Sequence, residues 1–592
     1  MALSPELQVA RHRLILSALG AIAALALWAL AEKWDDPSLS PMLYLMTFTF
    51  IASYFSLALV LAGPVPVGKA LVGSLLVAVP ATGLVALAGL RHVTPFNLLD
   101  DPVTLVMVMV LVGFSAPFLQ VWLQAPGKWR DYAALFDAAW SMFVRYLVAG
   151  LFVAVFWLVT FLSSTLLQLV GVDIIEKLLR SDWAPFALSG AVLGLGLAVV
   201  YELREKISPF LILRLLRLLV PVLFVVLVVF LVALPFRGLS DLFGEFSAAA
   251  TLMGSAIAAI TLISTALDRD DTRAVYTRGI RLATRALALL LPVLAVLAVW
   301  AVVERVREYG WTPDRVLAAT AALFVLAYAL GYAGSVARGK GWAARVRKVN
   351  VAMALVIIAV SVLWMTPVLN PFAIATNNQI ARYETGQSDL DQLPLWRMQH
   401  DWGKAGQAGL VRLEQAEGRD DQAELLIRIA SARRERSNYK YQQTLEARET
   451  PQNLQTLAQT MPIRPKGNTL PAGMFADLPY YQQTTWLDGC ARTLADGRPG
   501  CVLVLGRFSL KDASAQQAMV LYLDEDGKTR ANHLVLRVDG NLRVNEVFDP
   551  ATGRWAVLPG DVLAKALAGT YDIRPSGTNA LFIGDAVLVP EN

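Results

Sequence analysis

Along the first 370 residues, apolar positions gather into long unbroken runs separated by short polar stretches. Eleven runs reach about the 17–25 residues that a bilayer core requires: Leu14–Ala31, Met42–Ala62, Ala70–Leu90, Val103–Leu123, Tyr146–Val170, Ala184–Tyr201, Leu218–Phe236, Phe246–Leu267, Ala286–Val303, Val316–Val336 and Val351–Leu369. A bilayer interior gives unpaired backbone groups no partner, so each run is predicted as a helix. The core of a large water-soluble protein would not need so many long uncharged runs.

The pattern changes past Asn370. From Lys404 to Arg436, Leu410, Val411 and Leu413 and then Leu425, Leu426 and Ile429 supply apolar faces for two helices broken near Gly418. Thr450 to Leu470 carries Pro451, Pro462 and Pro465 and reads as a linker. Beyond it come short β-rich runs beginning at Cys501, Ala518, His533 and Ala586, with Asp526-Gly527 and Asp539-Gly540 as hairpin turns. The fold class is therefore a polytopic α-helical membrane protein of about 11 transmembrane helices with a C-terminal α+β extracytoplasmic domain. The expected parts are a membrane domain over 1–370, a helical periplasmic segment over 371–450, a linker over 451–469 and a small β-rich domain over 470–592.

Composition agrees with this division. Charged residues make up 17% of the 592 positions and apolar residues 56%, against about 25% charged in soluble domains. The first 370 residues hold 28 basic and 21 acidic side chains, the remainder 24 and 26. Nineteen of the 28 basic residues lie at one end of the spans, among them Lys69, Lys128, Arg130, Arg204, Arg269, Arg278, Arg338 and Lys348, eight at the other, and Arg145 at the mouth of the fifth run. By the positive-inside bias the richer end is cytoplasmic. An odd number of spans then puts the C-terminal part across the membrane. Arg11, Arg13 and Ala29-Leu30-Ala31 give the first run the flanks of a signal peptide, but its apolar stretch is long for one, so it is expected to remain as a span.

Only two cysteines are present, Cys490 and Cys501, and both fall in the part expected outside the cytoplasm. Location and spacing favour a bridge closing a short loop. The alternative is two unrelated buried thiols. With four histidines in the chain, no metal centre is expected, and no cofactor is implied.

Candidate chemistry is sparse. Asp35 and Asp36 follow the first span on the outer face, where a carboxylate can act as base or hold a divalent ion. Their loop is short for a transferase, and helix capping explains them equally, as it does Asp100 and Asp101. Glu304, Arg305, Arg307, Glu308 and Tyr309 form the most polar stretch between spans, a candidate for headgroup binding or for anchoring the tail. Its bland reading is a loop held by its own ion pairs. Ionisable residues are nearly absent from the middles of spans, which argues against a proton- or sodium-coupled transporter. Pro80, Pro117, Pro221 and Pro292 either kink their helices and open a cavity or only pack. Gly190 and Gly194 form a G-x-x-x-G pair expected to pack within the monomer. Asp173–Arg180 is amphipathic and expected at the outer leaflet. The phosphate-loop spacing at Gly334–Lys340 lacks the required Ser/Thr, since Gly341 follows, and adjoins a membrane helix instead of a strand.

Two segments carry a family likeness: Glu304-Arg-Val-Arg-Glu-Tyr-Gly-Trp-Thr-Pro-Asp-Arg315, and Asn370-Pro-Phe372 through Asn378-Gln-Ile-Ala-Arg382. With the span layout and the cysteine pair, the chain resembles the bacterial polytopic membrane-protein family catalogued as domain of unknown function 4153. The resemblance implies an inner-membrane protein with a periplasmic tail and implies no activity.

The leading expectation is a non-enzymatic bacterial inner-membrane protein with a cytoplasmic N-terminus. Its periplasmic domain would bind or organise envelope components, with membrane lipid and other envelope proteins as partners and no nucleic acid. The runner-up is a handler of lipid or lipid-linked substrate, either a flippase or an outer-leaflet group transferase using Asp35 and Asp36.

Overall fold

The computed structural model describes residues 5–34, 40–203, 210–237, 248–272, 274, 277–416, 418–509, 514–549, 554–555, 558, 561–575, 579–584 and 586–590. The chain divides into two compact units, with the sequence boundary between residues 426 and 427.

In the first unit the apolar runs are helices: α1 (Pro5–Ala31), α2 (Pro41–Leu61), α3 (Val67–Gly89), α4 (Pro102–Gln124), α5 (Tyr132–Leu169), α6 (Ile174–Leu179), α7 (Ala184–Glu202), α8 (Phe210–Arg237), α9 (Ala248–Leu267), α10 (Arg278–Tyr309), α11 (Pro313–Ala337) and α12 (Trp342–Met365). Among the described residues, eleven are long and apolar enough to cross a membrane, all of these but α6. Starts follow local chemistry. Ser40, Asp101, Asp131 and Thr312 accept from backbone N–H groups at the openings of α2, α4, α5 and α11, and Pro41, Pro102 and Pro313 occupy first-turn positions.

Several helices outrun their apolar runs, α1, α5, α8, α10 and α12 each by eight or more residues. α5 begins at Tyr132 instead of near Tyr146 and spans 38 residues, about 57 Å at 1.5 Å per residue. Its extra turns bury Leu135, Phe136 and Ala138 while carrying Asp137, so a count of consecutive apolar residues misses them. α10 likewise continues to Tyr309 through four charged residues.

Tight packing within the unit rests on small residues. A Cβ at Gly190 would lie 2.1 Å from the Gly20 carbonyl oxygen, and one at Gly194 2.0 Å from that of Leu16. α1 and α7 therefore touch backbone to backbone, and the G-x-x-x-G pair serves this contact inside the chain.

Arginines close helix ends. The buried Arg145 donates to the carbonyls of Val60 and Ala62 at the end of α2, the buried Arg91 to Trp364 in α12, and the half-buried Arg345 to Ser335 and Gly339 at the end of α11. The last carbonyls of a helix have no partner along the chain and carry its negative dipole end, so a guanidinium satisfies both.

Three further helices, α13 (Pro371–Glu384), α14 (Leu395–His400) and α15 (Gly403–Glu414), also belong to the first unit. The composition break near Asn370 is therefore no structural boundary. Lys404 N donates to the Arg91 carbonyl at 2.9 Å, and a Cβ at Gly403 would stand 2.5 Å from that oxygen. These polar-sequence helices pack on the ends of membrane helices.

α16 (Gln422–Arg434) spans the boundary, and the second unit continues with α17 (Asn438–Thr460). The first ten residues of the expected linker are thus helical. Pro451 is tolerated because Leu454 and Leu457, one and two turns on, pack against the core of the unit.

Among the described residues nine strands follow: β1 (Ile463–Arg464), β2 (Cys501–Leu505), β3 (Gln516–Leu523), β4 (Thr529–Leu536), β5 (Leu542–Asp549), β6 (Arg554–Trp555), β7 (Asp572–Pro575), β8 (Asn579–Ile583) and β9 (Ala586–Pro590). They make one sheet in the order β1-β2-β3-β4-β5-β9-β8-β7, with β6 on β5, antiparallel except for the β1–β2 pair. Asp526-Gly527 and Asp539-Gly540 turn β3 into β4 and β4 into β5, with Gly527 and Gly540 at φ 74 and 83. α18 (Tyr480–Ala491) covers the face bearing Leu503, Val520 and Leu534. α19 (Asp561–Ala568) covers the face bearing Val502, Val504 and Leu521. Burial on both faces explains why β2 reads as a continuous apolar run.

Candidate functional site

α4 stands between two apolar cavities in the first unit, of about 540 and 630 Å³. Both are lined by Met109, Gly113 and Pro117 of α4 and by Ala139 of α5. The three α4 positions are one helical turn apart and form a stripe. Gly113 leaves the space: a Cβ there would meet nothing within 4 Å. Pro117 has no N–H to give the preceding turn. Met109 is 70% exposed, so the stripe opens onto the surface of the helix bundle. Cavities flanking one helix, with a shared open stripe, make an apolar groove along α4.

The smaller cavity has one polar end, built by Tyr132, Ser264, Tyr328 and Asn350. The fully buried Tyr332 hydroxyl donates to Asn350 Oδ1 at 2.5 Å, so Ser264 Oγ donates to Tyr332 at 2.9 Å. Asn350 Nδ2 in turn donates to Ser264 Oγ at 3.2 Å and to the Tyr132 hydroxyl at 3.3 Å. The ring of Ser264, Tyr332 and Asn350 is closed. Tyr132 only accepts from it, and the Tyr328 hydroxyl has no hydrogen bond among the described residues.

A charged layer lies just past Ser264 along the chain. Asp268, 1% exposed and in the left-handed region at φ 51, closes α9 and pairs with Arg217. Arg347 donates to the Leu267 carbonyl at 2.6 Å and to Asp271 at 2.7 Å, and Arg269 to Asp137 at 2.7 Å. These pairs tie α8, α9, α12 and α5 together below the polar end of the cavity.

A second cluster joins α10, α11 and α13. Gln379 Nε2 donates to the carbonyls of Tyr309 and Trp311, both at 2.9 Å, and Asn378 Oδ1 accepts from Trp311 N at 2.8 Å. Arg382 donates to the Arg307 and Glu308 carbonyls at 3.0 and 2.9 Å. Arg315 donates to the Tyr309 and Gly310 carbonyls. Glu304, Arg305, Arg307 and Glu308 are thus not a loop. They form the last turns of α10, paired Glu304–Arg307 and Arg305–Glu308 at i, i+3, and only Gly310–Thr312 link to α11. Arg305 and Arg315 both stand over the Tyr309 ring.

The two stretches that meet here, around Tyr309 and around Gln379, lie within residues 13–397, which match the family described as Domain of unknown function (DUF4153). The chain belongs to the DUF4153 family. Among the described residues the matched stretch takes in α1 from Arg13 onward, the other ten candidate spans whole, the groove and the α10–α11–α13 junction, and stops in α14. No curated protein and no solved structure matches the chain.

The other expected site residues in this DUF4153 chain divide three ways. Asp35 and Asp36 lie outside the described residues. Asp101 caps α4, accepting from Thr104 N at 3.1 Å and Thr104 Oγ1 at 2.6 Å. Cys490 at the end of α18 is bridged to Cys501 at the start of β2, Cα atoms 4.7 Å apart. Tyr132, Ser264, Tyr328 and Asn350 were not singled out from the sequence. A search of the spans for ionisable groups passes over neutral hydroxyls and amides.

The second unit has a polar cleft of about 440 Å³ between α18 and the sheet, lined by Tyr481, Asp488, Tyr522, Arg530, Asn532 and Glu546 among others. Burial, with Tyr481 and nearby acids adding to it, pushes the Tyr522 hydroxyl up to about 12. Burial works to raise Asp524, yet Arg530, 2.8 Å away, and the Lys528 N–H hold it below the ordinary carboxylate range.

Proposed function

We propose that this DUF4153 protein is a lipid-handling protein of the bacterial inner membrane, which takes a lipid chain from the bilayer into the groove along α4. The observation that carries this is the pair of cavities sharing the open Met109–Gly113–Pro117 stripe. Their linings are apolar, as a chain requires. In this reading the end carrying Lys128, Arg130 and Lys348 faces the cytoplasm and the second unit faces the periplasm. The test is native mass spectrometry of the full chain extracted from its own membrane. Wild type should carry a lipid adduct. Gly113→Trp, which adds bulk where a Cβ meets nothing, should lose it. An adduct retained at equal occupancy ends the groove reading.

The polar cleft and disulfide of the second unit favour a second role, presentation of a binding module to other envelope components. Removing residues 470–592 should abolish that role while leaving the lipid adduct in place.

A further inference from the structure

Groove occupancy by a chain leaves open what the chain carries. Resting on the lipid reading, we infer that the ligand of the smaller cavity is an uncharged lipid whose polar end presents a carbonyl oxygen to the hydroxyls of Tyr132 and Tyr328. Proton accounting leads there. A phenol has one proton to donate. That of Tyr332 goes to Asn350, and both Nδ2 protons of Asn350 are used, on Ser264 and Tyr132. The Tyr132 proton is then unassigned, because Tyr132 accepts in its only hydrogen bond among the described residues. The Tyr328 proton is unassigned as well. Two donors at the end of an apolar cavity need an acceptor.

The lining also limits the charge of that acceptor. Its polar members are Tyr132, Ser264, Tyr328 and Asn350, and no charged side chain lines the cavity. A phosphate or carboxylate there would be desolvated, and the guanidinium groups of the adjoining layer are already committed, Arg347 to Asp271 and the Leu267 carbonyl and Arg217 to Asp268, so the cost exceeds what two neutral hydrogen bonds return. A neutral carbonyl meets both conditions. Among uncharged membrane lipids it is offered by the ester of a diacylglycerol and by the ring of an isoprenoid quinone. Phe114, Phe118, Phe136 and Trp140 in the wall suit a chain or a ring equally.

The test uses the purified full chain and native mass spectrometry, titrated separately with 1,2-dioleoylglycerol, with ubiquinone-10 and with squalene as an oxygen-free chain. One of the two carbonyl probes should bind one to one and more tightly than squalene, and which one does so names the source. Tyr328→Phe should weaken that probe about tenfold and leave squalene unchanged, the effect of about one lost hydrogen bond. Tyr132→Phe should act alike. Tyr328→Phe breaks no hydrogen bond within the described protein, so folding is not at issue. Squalene binding as tightly as both carbonyl probes, or carbonyl binding unmoved by both variants, overturns the inference. Gly113→Trp separates the two levels. If it abolishes all three probes while the tyrosine variants have no effect, the groove stands and the carbonyl assignment falls. If it changes none of them, the groove reading itself falls.

Discussion

The carboxamide of Gln379 in α13 donates to the Tyr309 carbonyl at the last turn of α10, 2.9 Å away, and the same nitrogen reaches Trp311. Gln379 is 3% exposed, and without it the Trp311 carbonyl loses this donor while the Tyr309 carbonyl keeps Arg315. Gln379→Ala should cost roughly 1–3 kcal/mol and lower the thermal unfolding midpoint of the purified protein. Gly310→Ala should be worse. Gly310 sits at φ 72, and a Cβ there falls 2.7 Å from both Gln379 Nε2 and Arg382 Cδ. An unchanged midpoint in both variants would mean that the junction contributes nothing to stability.

The α1–α7 contact makes an equally sharp prediction. A methyl at Gly190 or Gly194 lands on a backbone carbonyl that no rotamer change can move. Gly190→Ala and Gly194→Ala should each destabilise by about 1–3 kcal/mol or more. Gly83→Ala in α3, where a Cβ meets nothing, should be neutral or slightly stabilising. Size-exclusion profiles and midpoints of the three variants side by side check this. Equal behaviour would contradict the packing.

His92, between α3 and α4, supplies a pH dependence. It is 4% exposed, edge-on to Phe372, with Nε2 3.9 Å from Asp101. Burial lowers its affinity for a proton, Asp101 and Asp100 oppose that, and Arg91 adds to it, the net direction being down. The folded state therefore favours neutral imidazole. The stability this contributes is present above the ordinary imidazole value, ~6.5, and is lost as pH falls below it toward the lower folded-state value. The unfolding midpoint of wild type should drop between about pH 7 and pH 5, and His92→Gln should drop less. Parallel curves would remove His92 as the cause.

The Cys490–Cys501 bridge ties the end of α18 to the first residue of β2. Its loss should destabilise the second unit by roughly 2–4 kcal/mol. Cys490→Ser/Cys501→Ser should become susceptible to limited proteolysis within residues 470–592 while the first unit stays resistant. Equal proteolysis rates with and without the bridge would show that it is dispensable.

The sequence alone determined the membrane half, because spanning a bilayer is a one-dimensional constraint. About twenty apolar residues must run together, and charge between runs biases orientation. The hairpin turns were legible for the same local reason, since Asp526-Gly527 and Asp539-Gly540 need only their own backbone preferences. Helix ends were less so. Tyr132–Arg145 is helical because one face packs, which a count of consecutive apolar residues cannot register. Only the tertiary structure decided that Gln379 and Arg382 close α10, turning an expected loop at Glu304–Tyr309 into a capped helix end. It alone showed that Pro117 and Gly113 line a groove, and that Tyr132, Ser264, Tyr328 and Asn350 converge from four helices on one cavity. These residues are 218 positions apart at the Tyr132–Asn350 pair. No local pattern encodes such a meeting, because what brings the residues together is the packing of whole helices, and what makes them a site is the hydrogen-bond donors left over once that packing is complete.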